Sequence, residues 1–196
     1  MEQRIKQLLH NSIDAKITIA DVVPKLIAMA AQRLINCLLN DNKILLCGNG
    51  GSAANCMHFS TAMMNHFEIE RPSLPIMNLT TDLALITAIA NENHYNDIFA
   101  KQINTMAHEG DILLTLSTTG NSDSLLNAIN AGNDRNMDII ALTGRDGGIL
   151  ANHLGPEDIE IRITIDNAAR IREIHLFILH CFCDLIDQSL FKQILE

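Results

Sequence analysis

Apolar residues recur at helical spacing from Ile5 to about Leu39, with an interruption near Thr18 to Pro24, so the pattern predicts two helices, the second from about Val23. Beyond Leu39 the pattern changes. Short, nearly unbroken apolar runs near residues 43–48, 75–79, 111–117, 137–143 and 159–164 alternate with helical stretches near 52–66, 82–90, 96–108 and 123–135. Runs apolar at every position suit strands covered by helices on both faces, which is the condition of a parallel sheet. The predicted fold is α/β: a doubly wound, five-stranded parallel sheet flanked by helices, with N-terminal helices before it and a long C-terminal helix after it. No linker is visible. One domain is expected over 1–196, with a helical segment at about 1–39, an α/β core at about 40–165 and the closing helix at about 166–192. In that helix Ile171, Ile174, Ile178, Leu179, Phe182, Leu185 and Ile186 make an apolar surface wider than one sheet face needs. Contact with another subunit and burial inside one subunit both account for it.

Two of the predicted strands end in loops of the same character. Asp111-Ile-Leu-Leu-Thr-Leu-Ser-Thr-Thr-Gly-Asn-Ser122 is an apolar run that breaks into hydroxyls, a glycine and an asparagine before a helix. Ser117, Thr118, Thr119 and Ser122 supply short donors, Gly120 permits a tight turn, and helix-opening amides attract an anion. Helix capping by Asn121 or Ser122 explains one or two such residues. It does not explain five among the six from Ser117 to Ser122. Likewise, Lys43-Ile-Leu-Leu-Cys-Gly48 empties into Gly48-Asn-Gly-Gly-Ser-Ala53 ahead of the next helix. In a parallel sheet both turns lie on the carboxyl edge, where crevices bind ligands. Neither is a Walker A loop or a Gly-x-Gly-x-x-Gly turn. Gly144-Arg-Asp-Gly-Gly148 is a third loop, read as a turn and helix start.

Composition narrows the field. At 196 residues and 47% hydrophobic content the chain can bury about 70% of its unfolded surface. A net charge of −9, no tryptophan and one tyrosine argue against direct binding to nucleic acid, which needs clustered cations and stacking platforms. The charged start Met1-Glu-Gln-Arg-Ile-Lys-Gln and the absence of a segment of membrane-spanning length point to a cytoplasmic protein with no membrane partner. Cys37, Cys47, Cys56, Cys181 and Cys183 are odd in number and sit in apolar contexts, as reduced core residues do.

With both loops and the last helix in place, the chain resembles the sugar isomerase (SIS) fold family. Within it the chain is similar to the subgroup of phosphoheptose (sedoheptulose 7-phosphate) isomerases and of DiaA, the DnaA initiator-associating protein. The carriers are Cys47-Gly-Asn-Gly-Gly-Ser-Ala-Ala54, His58-Phe59, Glu70-Arg-Pro-Ser-Leu-Pro75, Thr87-Ala-Ile-Ala-Asn91, Ser117-Thr-Thr-Gly-Asn-Ser122, Ala141-Leu-Thr-Gly144, Asp146-Gly-Gly148, Ala169-Arg-Ile-Arg-Glu-Ile-His175 and Asp184-Leu-Ile-Asp187. The resemblance implies a homotetramer with sugar-phosphate sites at subunit contacts. It places Asn49, Gly50, Gly51 and Ser52 on the substrate turn, and Ser117, Thr118, Thr119 and Ser122 on the phosphate. Asn91, with Glu92 as its acidic neighbour, and Arg172 are further substrate contacts.

The isomerases carry His and Glu four residues apart after the first loop, then Gln and His eight residues apart on the last helix. The matching positions here are His58, Ala62, Arg172 and His180. A methyl group takes no proton, and arginine does not ligate zinc. The expectation is therefore a sugar-phosphate-binding, DiaA-like regulator of DnaA-dependent replication initiation. It would have no cofactor and no metal, with His180 the retained acid–base candidate and His58 and His180 residual metal positions. The alternative is a working D-sedoheptulose 7-phosphate isomerase supplying heptose for lipopolysaccharide, which implies zinc. A sedoheptulose 7-phosphate-like sugar phosphate and further copies of the chain are the expected partners in both readings, with DnaA added in the first.

Overall fold

The computed structural model describes residues 1–191, so residue 192 of the expected closing helix lies outside the described residues. Two helices open the chain, α1 (Glu2–Ile19) and α2 (Val23–Leu39), with Pro24 at the start of α2, where a missing N–H costs nothing. The alternating part follows as β1 (Ile44–Gly48), α3 (Gly51–Met64), β2 (Ile76–Asn78), α4 (Leu83–Glu92), α5 (Ala100–Met106), β3 (Ile112–Leu116), α6 (Asp123–Asp134), β4 (Asp138–Gly144), α7 (Gly148–Ala151) and β5 (Ile159–Ile163). Helix α8 (Ala168–Phe191) ends the described chain.

All four strand pairings are parallel, in the order β2-β1-β3-β4-β5, with Ile44 paired to Ile112 and Ile112 to Asp138. Side chains alternate between the faces, so each apolar strand feeds two cores. Ile44, Leu46, Ile112, Leu114, Ile140 and Leu142 pack with residues of α1, α2, α3 and α8. Leu45, Cys47, Leu113 and Ile139 pack with residues of α4, α5, α6 and α7. The continuous hydrophobicity of the strands follows from this double burial.

Two expectations change, and the width of α8, left open above, finds its use. The stretch 96–108 is not one helix but a 3₁₀ turn at Tyr95–Asp97 and then α5. Here Asn96 and Asp97 exchange side-chain hydrogen bonds with Asp123 and Asn127 of α6, which offers this segment an alternative to the helical ladder. The apolar width of α8 is used inside the chain, because Ile171, Ile174, Ile178, Leu179, Phe182 and Ile186 are all fully buried there, with Leu185 partly so. Helix α8 is also long and apolar enough to cross a membrane, contrary to the reading of the sequence. Its burial against α2, α3 and the sheet makes it the core helix of this fold.

Candidate active site

Strand order reverses at β1, and a reversal of this kind opens a crevice at the carboxyl ends of β1 and β3. Both polar loops empty into it. After β1 the chain turns through Gly50 at φ 55° into α3, and after β3 it turns through Gly120 at φ 66° into α6. A side chain at position 120 is excluded twice over, by the positive φ and by the Gly147 carbonyl oxygen 1.8 Å from where its Cβ would lie. The loop after β4 thus closes directly on the turn after β3. Leu150 donates its amide to the Gly120 carbonyl at 3.0 Å, and Ile149 donates to Asn121 Oδ1 at 3.0 Å, so the third glycine-rich loop acts as a brace.

Ser117 is buried, and its Oγ accepts from the amide of Gly120 at 2.9 Å. Thr118 and Thr119 are half-buried beside it, and Thr119 Oγ1 accepts from the Asn121 amide at 3.2 Å. Neither Asn121 nor Ser122 caps α6, which opens with no side-chain cap. The capping explanation of this loop therefore fails, and the opening amides of α6 are not covered by a side chain of the loop. Asn49 ties the two loops together, donating from Nδ2 to Ser122 Oγ at 2.8 Å and to Ser124 Oγ at 2.9 Å. Two residues passed over in the sequence complete the cluster: Ser124, which is buried, and Tyr95, whose hydroxyl donates to Asn49 Oδ1 at 2.9 Å. Ser124 had only its polarity on a buried helix face to mark it. Tyr95 had no local signal.

On the α3 side, Ser52 is buried in the first turn and Gly50 and Gly51 are exposed. Arg172 lies across Gly51, where a Cβ would meet its Cδ at 2.6 Å, so glycine makes room for the arginine side chain. Among the described residues no carboxylate pairs with Arg172. Its neighbour Glu173 is taken by Arg170 and Ser12. Asn91 and Glu92 end α4, both exposed, and Glu92 lines a separate groove of about 370 Å³ with Leu85, Ile89, Lys101 and Thr105. Among the described residues no side-chain hydrogen bond or ion pair joins either of them to the two loops.

Further along the parallel pair α3 and α8, His58 and His180 meet with their Nε2 atoms 2.8 Å apart and their ring centroids 5.0 Å apart. The Phe67 ring lies 5.3 Å from that of His180. Burial holds His180 below the ordinary histidine range, the charge of a protonated His58 adds to this, and Glu68 opposes it. His180 is therefore a neutral imidazole at pH 7. Ala62 sits one helical turn beyond His58, buried, with its carbonyl oxygen accepting from Arg71 Nη2. The four positions that resemble the isomerases' zinc set thus hold two imidazoles, a methyl group and a cation. Among the described residues no three His, Cys, Asp or Glu side chains converge to replace the missing donors. This set does not fit zinc.

The SIS domain family profile matches residues 16–144. The chain is 52% identical to the phosphoheptose isomerase of Chromohalobacter salexigens over 97% of its own length and 96% of that protein's. The chain belongs to the phosphoheptose isomerase family of SIS-domain proteins. Solved structures agree: a phosphoheptose isomerase from Francisella tularensis superposes with a TM-score of 0.92 at 46% identity, covering 95% of this chain and 97% of that one. The phosphoheptose isomerase GmhA from Neisseria gonorrhoeae gives 0.90 at 38% identity, with 95% and 99% covered. The DiaA-like reading is corrected at this point, because these relatives carry the isomerase name and favour the alternative.

Proposed function

We propose that this chain is a ketose–aldose isomerase acting on a heptulose 7-phosphate such as sedoheptulose 7-phosphate. The phosphate rests on Ser117, Thr118, Thr119 and Ser122, and the sugar lies along Asn49, Gly50, Gly51, Ser52 and Arg172. His58 lies seven steps along α3 from Gly51, about 10 Å at 1.5 Å per residue. A seven-carbon sugar phosphorylated at one end has its reacting carbons at the other, so the acid–base groups belong away from the phosphate, beyond the turn that the sugar follows.

The observation that carries the reading is the 2.8 Å contact between His58 Nε2 and His180 Nε2. When two neutral imidazoles share one proton between their Nε2 atoms, one Nδ1 is left with a free lone pair and the other with an N–H. The pair thus offers a base and an acid together. Isomerisation through an enediol needs both, one to take the carbon-bound proton and one to protonate the carbonyl oxygen. The lone-pair Nδ1 accepts the carbon's proton, that ring passes its Nε2 proton to its neighbour, and the neighbour's Nδ1–H goes to the oxygen. Both rings end neutral with their tautomers exchanged, ready for the reverse transfer at the adjacent carbon. No carboxylate and no metal enters this scheme.

The setting we propose is cytoplasmic and homotetrameric, with Asn91 and Glu92 of one copy completing the site of another. Support comes from α1, where Ile5, Leu9, Ile13 and Ile17 form an exposed stripe at four-residue spacing, and from Leu83 and Leu85 on α4. A second reading, binding without turnover, is favoured by Ala62 and Arg172. NMR of sedoheptulose 7-phosphate incubated with the purified protein separates the two. Appearance of the aldose supports the isomerase; binding with no product above background supports the second.

A further inference from the structure

We infer that Tyr95 is a positioning residue for the anion cradle, acting through Asn49 on the hydroxyl of Ser122. The inference rests on the phosphate-binding part of the function proposed above and needs no turnover.

Three separate elements meet in this contact: the 3₁₀ turn that carries Tyr95, the loop after β1 and the start of α6. The Asn49 amide has two N–H hydrogens, and both are committed, one to Ser122 Oγ at 2.8 Å and one to Ser124 Oγ at 2.9 Å. Its Oδ1 is satisfied from the opposite side by the Tyr95 hydroxyl at 2.9 Å. An amide whose oxygen is held this way keeps its NH₂ toward the two serines, whereas a flipped amide would present an acceptor to them. Because the Ser122 oxygen receives a hydrogen bond from Asn49, its own proton is left to donate. The Ser124 hydroxyl is 3.1 Å away and buried, and either hydroxyl of this pair can be the donor, so Ser124 can supply a second bond into the same oxygen. With an anion in the cradle the bonds run in one direction, from Tyr95 to Asn49 to Ser122 to the anion, and each strengthens the next.

The turn bearing Tyr95 is fastened to the same helix it serves. Asn96 donates to Asp123, and Asn127 donates to the Asn96 carbonyl and to Asp97 Oδ1, at 3.1 to 3.4 Å. The phenol is thereby held at a fixed height over the start of α6. About half of the side chain is exposed, so its location is not explained by core packing.

The test is calorimetric titration of inorganic phosphate into the full chain and its variants. Tyr95→Phe removes only the hydroxyl and should weaken phosphate binding about five-fold, the effect of one neutral hydrogen bond. In a Ser122→Ala background the same change should have no further effect, because its route to the anion is gone. As this is the only tyrosine in a chain with no tryptophan, its emission reports the contact directly. That emission should change with phosphate, saturating at the calorimetric Kd. For the sugar phosphate, Tyr95→Phe should raise KM with kcat within two-fold. Wild-type affinity in Tyr95→Phe, or an equal loss in both backgrounds, would overturn the relay while leaving the cradle intact. Absence of phosphate binding by the wild type would overturn the cradle and the relay together.

Discussion

His175 shows how far a single residue's role depends on what the fold places around it. On the sequence it is one of eight histidines, part of the Ala169–His175 stretch. In the structure it is fully buried, one ring nitrogen bonds the Thr143 carbonyl at 3.0 Å, and Nδ1 has no partner among the described residues. Burial lowers its pKa to about 4. Between pH 6.5 and 4 the unfolded chain takes up a proton that the folded chain refuses, so this contribution is intact above pH 6.5 and is lost as pH falls toward 4. The ceiling is about 3 kcal/mol, from roughly 2.5 units at 1.36 kcal/mol each. Urea midpoints measured from pH 7.5 to 4.5 should decline, and His175→Gln should flatten that decline; parallel curves would count against it. The place of the Ser117–Ser122 loop at a strand end was legible because its hydroxyl-rich composition is local to the sequence. Tyr95 and Ser124 were not, since their partner is Asn49, on a loop far away in the sequence.

At the level of elements, every strand was visible, since double burial writes itself as an unbroken apolar run. Boundaries were less so. Strand β2 stops at three residues because it lies on the sheet edge, and Pro75 before it has no N–H for a ladder. The helix expected at 96–108 broke where side chains of Asn96 and Asp97 found partners on α6, a tertiary event that periodicity cannot register. The junction of α3 and α8 was equally hidden. Arg71, fully buried, pairs with Asp187 at 2.6 Å and also donates to the carbonyls of Ala62 and Met63, satisfying the end of α3 while tying it to α8. Its guanidinium also lies 5.7 Å from the centre of the Phe191 ring. Arg71→Met strands the Asp187 carboxylate and two carbonyls, and should lower the urea-unfolding free energy by about 3–5 kcal/mol. A loss below 1 kcal/mol would mean that water replaces the arginine.

For the molecule as a whole, the sequence left the apolar width of α8 open between a subunit contact and burial within one subunit. The apolar width of α8 is consumed within the subunit, while the stripe on α1 is left exposed. Light scattering at micromolar concentration should give a tetramer, and Leu9→Glu with Ile13→Glu should yield smaller species. A wild-type monomer would contradict a site shared between copies.

Chemistry is the property of the whole that the family resemblance and the local residues describe differently. Chain-wide identity with phosphoheptose isomerases favours turnover, whereas Ala62 and Arg172 remove the carboxylate and a neutral ligand. In the mechanism proposed above the histidine pair reconciles them, and kcat for sedoheptulose 7-phosphate in His180→Asn against the wild type, with the Kd of each measured alongside, tests that most directly. The account predicts measurable wild-type turnover and a fall in kcat of about 10²–10⁴-fold in the variant, the usual contribution of a general acid–base group, with Kd within about three-fold. An unchanged kcat, or a wild type that binds the sugar phosphate and never converts it, would contradict it.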